Sequence, residues 1–138
     1  MARAQLGGNI GGSLLDRLDS IDRDTWVVLE LSSFQLEDVH TLACDIALLL
    51  NLEPDHLDRH GTMQHYADVK ARMFAKQRDD QTALVSVDDE WCKAIADTIH
   101  GGTEVRRVSV ASRLADGICA HDGILRECVN GTDISTID

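Results

Sequence analysis

The stretch VVLELSSFQL (residues 27–36) begins with the pattern of a buried strand and continues with polar groups that such a strand does not need. Its valines and leucines are typical of a strand inside a parallel sheet. Glu30 interrupts the apolar run, and two serines and a glutamine follow within five residues. Ligands of open α/β folds bind beyond the carboxyl ends of the strands. The stretch therefore predicts an α/β fold with a carboxylate where a ligand would bind.

The composition limits the possible classes of partner. The chain has 138 residues and a formal net charge of -11. No run of lysine or arginine offsets this charge, which argues against a nucleic-acid-binding surface. No apolar run approaches the roughly 20 residues of a membrane span, and the amino-terminal residues lack the apolar core of a signal peptide. We therefore expect a cytoplasmic protein without membrane contact.

The cysteines are scattered along the chain without the C-x-x-C spacing of a metal or redox motif. Their positions are Cys44, Cys92, Cys119 and Cys128. Two of them lie in apolar runs, which favours buried free thiols over a disulfide framework or a zinc site.

Apolar runs alternate with helical patterns along most of the chain. Strands are expected at residues 26–31, 45–50, 82–87 and 105–110, and helices at residues 10–18, 63–78 and 89–99. This alternation predicts the α/β class, with fully buried strands in a mostly parallel sheet and helices on both faces. Asp122-Gly123, between apolar segments at residues 116–121 and 124–129, adds a carboxy-terminal β-hairpin.

The amino-terminal glycine-rich segment does not form a phosphate loop. Only about nine residues precede the first predicted helix, too few for a strand that would feed it, so GGNIGG (residues 7–12) follows no predicted strand. The segment also lacks lysine, and the pattern G-x-x-x-x-G-K-[ST] occurs nowhere in the sequence. Since the sheet starts abruptly and the sequence ends just after the hairpin, we expect a piece of a larger enzyme.

Several polar residues near the predicted strand ends have a structural explanation as well as a functional one. Helix capping is the preferred explanation for Asp88 and Asp89, and it suits Asp55 equally well. It also suits the two serines that follow Glu30. His56 and His60 have the i, i+4 spacing of a metal pair, but one of two such histidines is more often structural.

Lys70 lies within the apolar face of the helix predicted at residues 63–78. The other members of that face follow helical spacing: Met63, Tyr66, Ala67, Met73 and Phe74. Taken alone, the pattern favours a lysine whose stem is buried and whose ammonium group reaches water. The functional alternative is an amine kept partly neutral by burial, which can be modified or can act as a nucleophile.

Three blocks of the sequence resemble the central ATP-binding domain of the Mur ligases of peptidoglycan synthesis. They are GGNIGGSLLD, VVLELSSFQLE and NLEPDHLDRHGTMQHYADVKARMF, in the order and spacing of that family, and the strong match covers about Gly7–Lys76. The Ser-Ser-Phe-Gln-Leu motif resembles the branch that adds D-glutamate. The branch that adds the third residue of the stem peptide has a similar D-H-L-D-x-H-G-T-M motif, but usually carries histidine and glycine in place of Phe34 and Gln35.

The resemblance implies a role for individual residues. Glu30 matches an acidic ligand of the Mg²⁺ that bridges the ATP phosphates. His56 matches the ligand of a second Mg²⁺, and Lys70 matches a lysine carbamylated by CO₂ whose carbamate helps to hold that metal. Asn9 and Ser32 match contacts to the muramoyl-peptide substrate, and Gln35 lies beside them in the same motif.

The resemblance further implies an ATP-dependent ligase that joins D-glutamate to UDP-N-acetylmuramoyl-L-alanine through an acyl-phosphate. The chain would be part of the central domain (residues 1–138), without the phosphate loop, the UDP-binding amino-terminal domain and the carboxy-terminal domain. It would be inactive alone and would self-associate through exposed apolar surface. The alternatives are the ligase that adds the third residue, a polyglutamate-type relative, a non-catalytic α/β module, and a metal hydrolase built on His56 and His60.

Overall fold

A computed structural model describes residues 3–121 and 123–137 of the chain. It divides the chain into two compact units, residues 1–39 and residues 40–138. Each unit is described by itself below.

The first unit contains a strand that the sequence analysis did not predict. Its elements are β1 (Arg3–Gly8), a 3-10 helix (Leu15–Ser20), β2 (Thr25–Glu30) and α1 (Ser33–Asp38). The first two residues of β1 pair with Thr25 and Trp26 in parallel register. The expectation that no strand precedes the first helix was therefore wrong. The sequence RAQLGG carries little β-propensity, and its pairing with β2 supplies the stability instead.

The helix predicted at residues 10–18 was also wrong in its position and type. Gly11 and Gly12 have φ values of 82° and 78°, which end any helical path before residue 13. Only the short 3-10 helix forms, and it begins at Leu15.

The second unit contains the remaining strands and helices. They are β3 (Ile46–Leu49), α2 (Leu57–His60), α3 (Met63–Ala71), a 3-10 turn (Arg72–Phe74), β4 (Thr82–Ser86), α4 (Glu90–Thr98), β5 (Glu104–Ser109), β6 (Gly117–His121), β7 (Ile124–Val129) and β8 (Thr132–Ile137). The helix predicted at residues 63–78 ends early, because the 3-10 turn follows at Arg72.

The strands of this unit form one sheet in the order β3-β4-β5-β6-β7-β8. Pairing is parallel from β3 to β6 and antiparallel from β6 to β8. This confirms the α/β class, the mostly parallel pairing and the carboxy-terminal hairpin. Asp122, the first residue of the predicted hairpin turn, lies outside the described residues.

The core lies between one face of this sheet and the helices α3 and α4. Leu49 and Val85 point from the strands into a cluster with Ala67, Phe74 and Ile95 from the helical segments. Burying an aliphatic or aromatic side chain of this size stabilises the fold by about 1.5–3 kcal/mol. The core therefore fixes the orientation of α3, which carries Lys70.

The strands are less buried than their apolar sequences predict. Ile46 and Leu48 are 52% and 47% exposed on the sheet face opposite the core. In the first unit, Trp26 and Val28 are 54% and 50% exposed. The expectation of fully buried strands was therefore wrong for these described residues. Within the second unit, α3 and α4 pack on the core face of the six-stranded sheet.

Candidate active site

The carboxyl ends of β1 and β2 meet at one edge of the first unit. Gly8 pairs with Glu30, the last residue of β2. The chain then turns sharply, because the backbone N–H of Gly8 donates to the carbonyl of Gly12 (3.1 Å) and that of Asn9 donates to the carbonyl of Glu30 (2.8 Å). The loop that carries Asn9 is thus bonded directly to the residue that carries the predicted metal ligand.

Glycine is required at the start of this loop. Gly8 has φ of 105°, and a Cβ there would collide with the carbonyl oxygen of Glu30. A Cβ on Gly7 would collide with the side chain of Leu14. GGNIGG therefore does follow a strand, which corrects the sequence analysis, although it still lacks the lysine of a phosphate loop.

The carboxylate of Glu30 has one oxygen that the described residues leave unsatisfied. Its Oε2 is buried and has no hydrogen-bond partner among them. A buried acceptor without a partner costs free energy, so such an atom calls for an explanation. A cation bound to this oxygen would remove the cost, and the hard oxygen of a carboxylate suits Mg²⁺. The geometry of Glu30 thus fits the ligand role that the sequence predicts.

Ser32 and Gln35 form a capping box at the start of α1. The Ser32 Oγ accepts from the backbone N–H of Gln35 (3.3 Å), and the Gln35 Oε1 accepts from the backbone N–H of Ser32 (2.9 Å) and from its hydroxyl (3.1 Å). The structural explanation for the serine is therefore confirmed. The predicted contacts of Asn9, Ser32 and Gln35 with substrate stay predictions.

His56 immediately precedes the short helix α2 and has an unusual backbone conformation. Its φ and ψ are 51° and 32°, a left-handed conformation that costs about 1–3 kcal/mol for residues other than glycine. Asp55 holds the residue at two points. Its carboxylate accepts from the backbone N–H of His56 (2.8 Å) and lies 3.2 Å from the His56 Nε2. A carboxylate beside an imidazole is a common way to orient a histidine that binds a metal.

This role of Asp55 is one that the sequence analysis missed. Asp55 was interpreted as a possible helix cap, whereas its carboxylate contacts the adjacent histidine. The adjacency of aspartate and histidine before a helix was the available signal.

His60 and Tyr66 stack inside the second unit. Their ring centroids are 5.0 Å apart with an interplanar angle of 28°, and His60 is 4% exposed. Burial, followed by the negative charge of Asp55, raises the pKa of the Tyr66 hydroxyl. These contacts agree with a structural histidine at position 60 and do not favour a hydrolase built on His56 and His60.

Lys70 lies in the last turn of α3 and is half-buried. Thr62 caps the start of the helix, because its hydroxyl accepts from the backbone N–H of His65 (3.1 Å). Tyr66, Ala67 and Val69 bury the face of α3 that packs on the sheet. Lys70 and His56 belong to the second unit and Glu30 to the first. Their convergence at one site stays a prediction.

Asp88 and Asp89 follow β4 and are both engaged in hydrogen bonds. The Asp89 carboxylate caps α4 by accepting from the backbone N–H of Cys92 (2.8 Å), and it also accepts from that of Leu52 (3.2 Å). Asp88 accepts from the Ser109 hydroxyl and from the backbone N–H of Val110 (2.7 Å). The prediction of a helix cap at this position is confirmed for Asp89.

Comparison with known proteins identifies the family of the chain. A family model described as the Mur ligase middle domain matches residues 13–124. The chain belongs to the Mur ligase middle-domain family. It is 49% identical over 115 residues to the UDP-N-acetylmuramoylalanine--D-glutamate ligase of Nitrobacter winogradskyi, covering 83% of the chain and 24% of that protein. It is 47% identical over 128 residues to the enzyme of the same name from Rhizobium meliloti, covering 92% of the chain and 27% of that protein.

The chain thus spans about a quarter of the length of these curated relatives. A solved UDP-N-acetylmuramoyl-L-alanyl-D-glutamate--2,6-diaminopimelate ligase matches with a TM-score of 0.60 and 26% identity, over 82% of this chain and 25% of that one. MurF from Acinetobacter baumannii has the same fold, with a TM-score of 0.65 and 14% identity over 99% of this chain and 32% of that one. Among the described residues, no helix combines the length and the apolar composition of a membrane span.

Proposed function

We propose that the chain forms the metal-binding part of a cytoplasmic ligase that joins D-glutamate to UDP-N-acetylmuramoyl-L-alanine at the expense of ATP. The observation that carries the proposal is the buried, unsatisfied Oε2 of Glu30 at the end of β2. The Ser-Ser-Phe-Gln-Leu motif that follows it, and the names of the relatives, support D-glutamate as the amino acid that is added.

Three side chains would hold magnesium in this enzyme. Glu30 would bind the ion that accompanies ATP, and His56 and a carbamylated Lys70 would bind the second. When bound, Mg²⁺ neutralises phosphate charge and acts as a Lewis acid. Lys70 acquires its carbamate when the neutral amine adds to CO₂ and loses a proton. Asp55 orients His56 through its 3.2 Å contact with the ring.

The first unit would supply the surface for the muramoyl-peptide substrate. The loop that carries Asn9 is bonded to Glu30, and the capping box fixes Ser32 and Gln35 two and five residues beyond it. These residues need little rearrangement to meet a substrate, because hydrogen bonds already order their backbone. Such preorganisation reduces the entropy lost on binding.

The reaction consists of two group transfers. The carboxylate of UDP-N-acetylmuramoyl-L-alanine takes the γ-phosphoryl group of ATP, which forms an acyl-phosphate and ADP. The amine of D-glutamate attacks the acyl carbon, and phosphate leaves as the amine loses a proton. Positioning and neutralisation of charge are the main demands that phosphoryl transfer makes on a protein.

The amino-acid specificity can be tested in the complete polypeptide that contains this chain. Phosphate release should require UDP-N-acetylmuramoyl-L-alanine and D-glutamate together. The competing assignment predicts release with the muramoyl-dipeptide substrate and diaminopimelate instead. Release with that second pair alone would overturn the proposal, as would the absence of release with either pair. The 138-residue chain by itself should show no turnover.

The role of Lys70 can be tested separately by chemical rescue. Lys70→Ala should abolish activity of the complete ligase, and acetate or propionate should restore part of it by replacing the carbamate. Lys76→Ala, a change in a lysine beyond the helix, is the matched control and should retain activity. Full activity of Lys70→Ala would contradict the role, whereas loss without rescue would contradict the carbamate.

We also propose that the chain self-associates through its exposed apolar strands. Trp26 and Ile46 are both more than half exposed, and monomeric proteins rarely expose large apolar surfaces. Sedimentation velocity should show dimers or larger species whose proportion rises with concentration. A monomer at high concentration would contradict this expectation.

A further inference from the structure

The carboxy-terminal strands contain two cysteines whose sulfur atoms touch. The Sγ atoms of Cys119 on β6 and Cys128 on β7 are 3.8 Å apart, and both residues are completely buried. The separation is close to van der Waals contact and about 1.8 Å longer than a disulfide bond. The other two cysteines, Cys44 and Cys92, have no such neighbour described here and provide an internal comparison.

The register of the hairpin leaves room for the two sulfurs to meet. Cys128 lies opposite Gly117, and Cys119 lies opposite Arg126, so the two cysteines are diagonal neighbours on one face. On the β6 side, the position directly opposite Cys128 is Gly117, which has no side chain. Gly117 is also fixed as glycine, because a Cβ there would collide with the carbonyl oxygen of Arg107. The two thiols therefore approach each other beside Gly117, a position that cannot hold a larger residue.

The backbone beside Cys128 is irregular. The pairing of β7 with β8 shifts register between Glu127 and Cys128, as in a β-bulge. A bulge interrupts the ladder and bends the strand locally. Small backbone adjustments that bring the sulfurs into bonding distance are easier here than in a regular ladder.

Oxidation of Cys128 would not leave the carboxylate of Asp133 without partners. That thiol donates to the Oδ1 of Asp133 (3.2 Å), and the same carboxylate accepts from Arg113 (2.7 Å) and Arg126 (3.1 Å). Without the thiol hydrogen bond, the carboxylate keeps two charged partners, which are the stronger ones. The hydrogen bond to Asp133, together with burial, raises the pKa of Cys128 to about 11, so little thiolate is present near neutral pH and the thiol reacts slowly.

We propose that Cys119 and Cys128 form an oxidisable thiol pair, which a small disulfide such as oxidised glutathione converts into a cross-strand disulfide between β6 and β7. During local opening of the hairpin, which exposes the buried sulfurs, one protein thiolate attacks a glutathione sulfur and expels a glutathione thiolate. The second protein thiolate attacks the mixed disulfide and expels the other. The two protein thiols lose two electrons and two protons, and oxidised glutathione becomes two molecules of glutathione. This site is independent of the proposed ligase activity.

The test equilibrates the purified chain with glutathione redox buffers, unfolds it in denaturant together with a maleimide that traps all free thiols, and maps the peptides by mass spectrometry. The expected product has a single link between the peptides that contain residues 119 and 128, with Cys44 and Cys92 fully alkylated. The equilibrium constant for the link should be at least about tenfold larger in the folded chain than in urea, because folding already holds the sulfurs together.

Variants sharpen the result. Cys119→Ser and Cys128→Ser should each abolish the link, and Cys44→Ser and Cys92→Ser should leave its equilibrium constant unchanged. Cys128→Ser keeps a donor for Asp133, which limits damage to the fold. The proposal is overturned if the folded chain keeps all four thiols in strongly oxidising buffer. It is also overturned if the links involve Cys44 or Cys92, or if the equilibrium constant is no larger when folded than in urea. The wild-type map alone decides the first two outcomes if a variant fails to fold.

Discussion

Glu30 and Asp88 occupy equivalent places in the sequence pattern, but their surroundings differ. Each lies at the carboxyl end of a parallel strand: Glu30 is the last residue of β2, and Asp88 comes shortly after the end of β4. Both oxygens of Asp88 accept hydrogen bonds, from Ser109 and Val110. The Oε2 of Glu30 is buried without a hydrogen-bond partner among the described residues.

The difference shows that position at a strand end is not enough to identify a ligand. A carboxylate with all its acceptor sites used holds a loop together, and replacing it affects stability. A carboxylate with a buried, unused oxygen is energetically unfavourable in the protein alone and is a candidate to bind a cation. Whether the carboxylate oxygens already accept hydrogen bonds, rather than the residue type, distinguishes a structural carboxylate from a candidate cation ligand.

The largest effect is expected from removing the charge of Glu30. In the complete ligase, Glu30→Gln should lower kcat by at least about 100-fold, because a neutral amide is a poor ligand for Mg²⁺. Asp88→Asn is the matched control and should change kcat by only a few-fold once the protein is folded. Equal losses in the two variants, measured by phosphate release at saturating substrate, would remove the distinction between the two carboxylates.

A smaller effect, on stability, tests how the Glu30 edge is built. Gly8→Ala should lower the free energy of unfolding of the first unit by about 2–3 kcal/mol, because the new Cβ meets the carbonyl of Glu30 at a positive φ. Gly12→Ala has positive φ but open space, so a loss of about 1 kcal/mol is expected. Urea unfolding monitored by Trp26 fluorescence in a Trp91→Phe background measures both. Equal losses would mean that contact with Glu30 does not constrain the loop.

A comparable test concerns Asp89, the neighbour of Asp88, whose carboxylate caps α4. Asp89→Ala should cost about 1 kcal/mol for the lost cap, and somewhat more because Leu52 also loses its acceptor. Glu90→Ala, in the exposed first turn of the same helix, should cost less than about 0.5 kcal/mol. Urea unfolding followed by far-ultraviolet circular dichroism distinguishes them. A loss for Asp89→Ala no larger than for Glu90→Ala would contradict the capping role.

The smallest effect is the pH dependence that Asp88 contributes. Burial raises the pKa of Asp88, but hydrogen bonds from Ser109, Val110 and Ala111 together lower it by more than burial raises it. The net shift is therefore downward. A carboxyl whose pKa is lower when folded stabilises the protein above its unfolded value of about 3.9, and this contribution is lost as pH falls through the folded value. Wild type should therefore exceed Asp88→Asn in stability at pH 7 by more than near pH 3. An unchanged difference in urea midpoint would contradict the shift.

The apolar pattern predicted most of the strands because burial of side chains determines where they form. β4 (Thr82–Ser86) lies within the predicted segment at residues 82–87, and the hairpin at residues 116–129 was also correct. β1 (Arg3–Gly8) was missed because it depends on a partner that is distant in sequence rather than on its own composition. β8 was missed although Asn130-Gly131, with φ values of 50° and 77°, is a recognisable hairpin turn.

The residues of the candidate site could be predicted by resemblance, but their physical state could not. The sequence indicated Glu30 and His56, but it did not reveal the unsatisfied oxygen of the one or the left-handed backbone of the other. The same applies to Asp55, whose contact with His56 depends on how the chain enters α2. The capping box of Ser32 and Gln35 follows a local sequence pattern, and the sequence predicted the capping serine but not the contribution of Gln35.

The central claim is that the Glu30 edge binds a divalent cation and the Asp88 edge does not. The most direct measurement is a titration of the isotope-labelled chain with Mn²⁺, a paramagnetic substitute for Mg²⁺, followed by line broadening of the backbone amides. The account predicts that Gly8, Asn9 and Leu31 broaden first and that Glu30→Gln abolishes this response. Broadening that begins at Asp88 and Val110, or a response at Asn9 that survives Glu30→Gln, would contradict it.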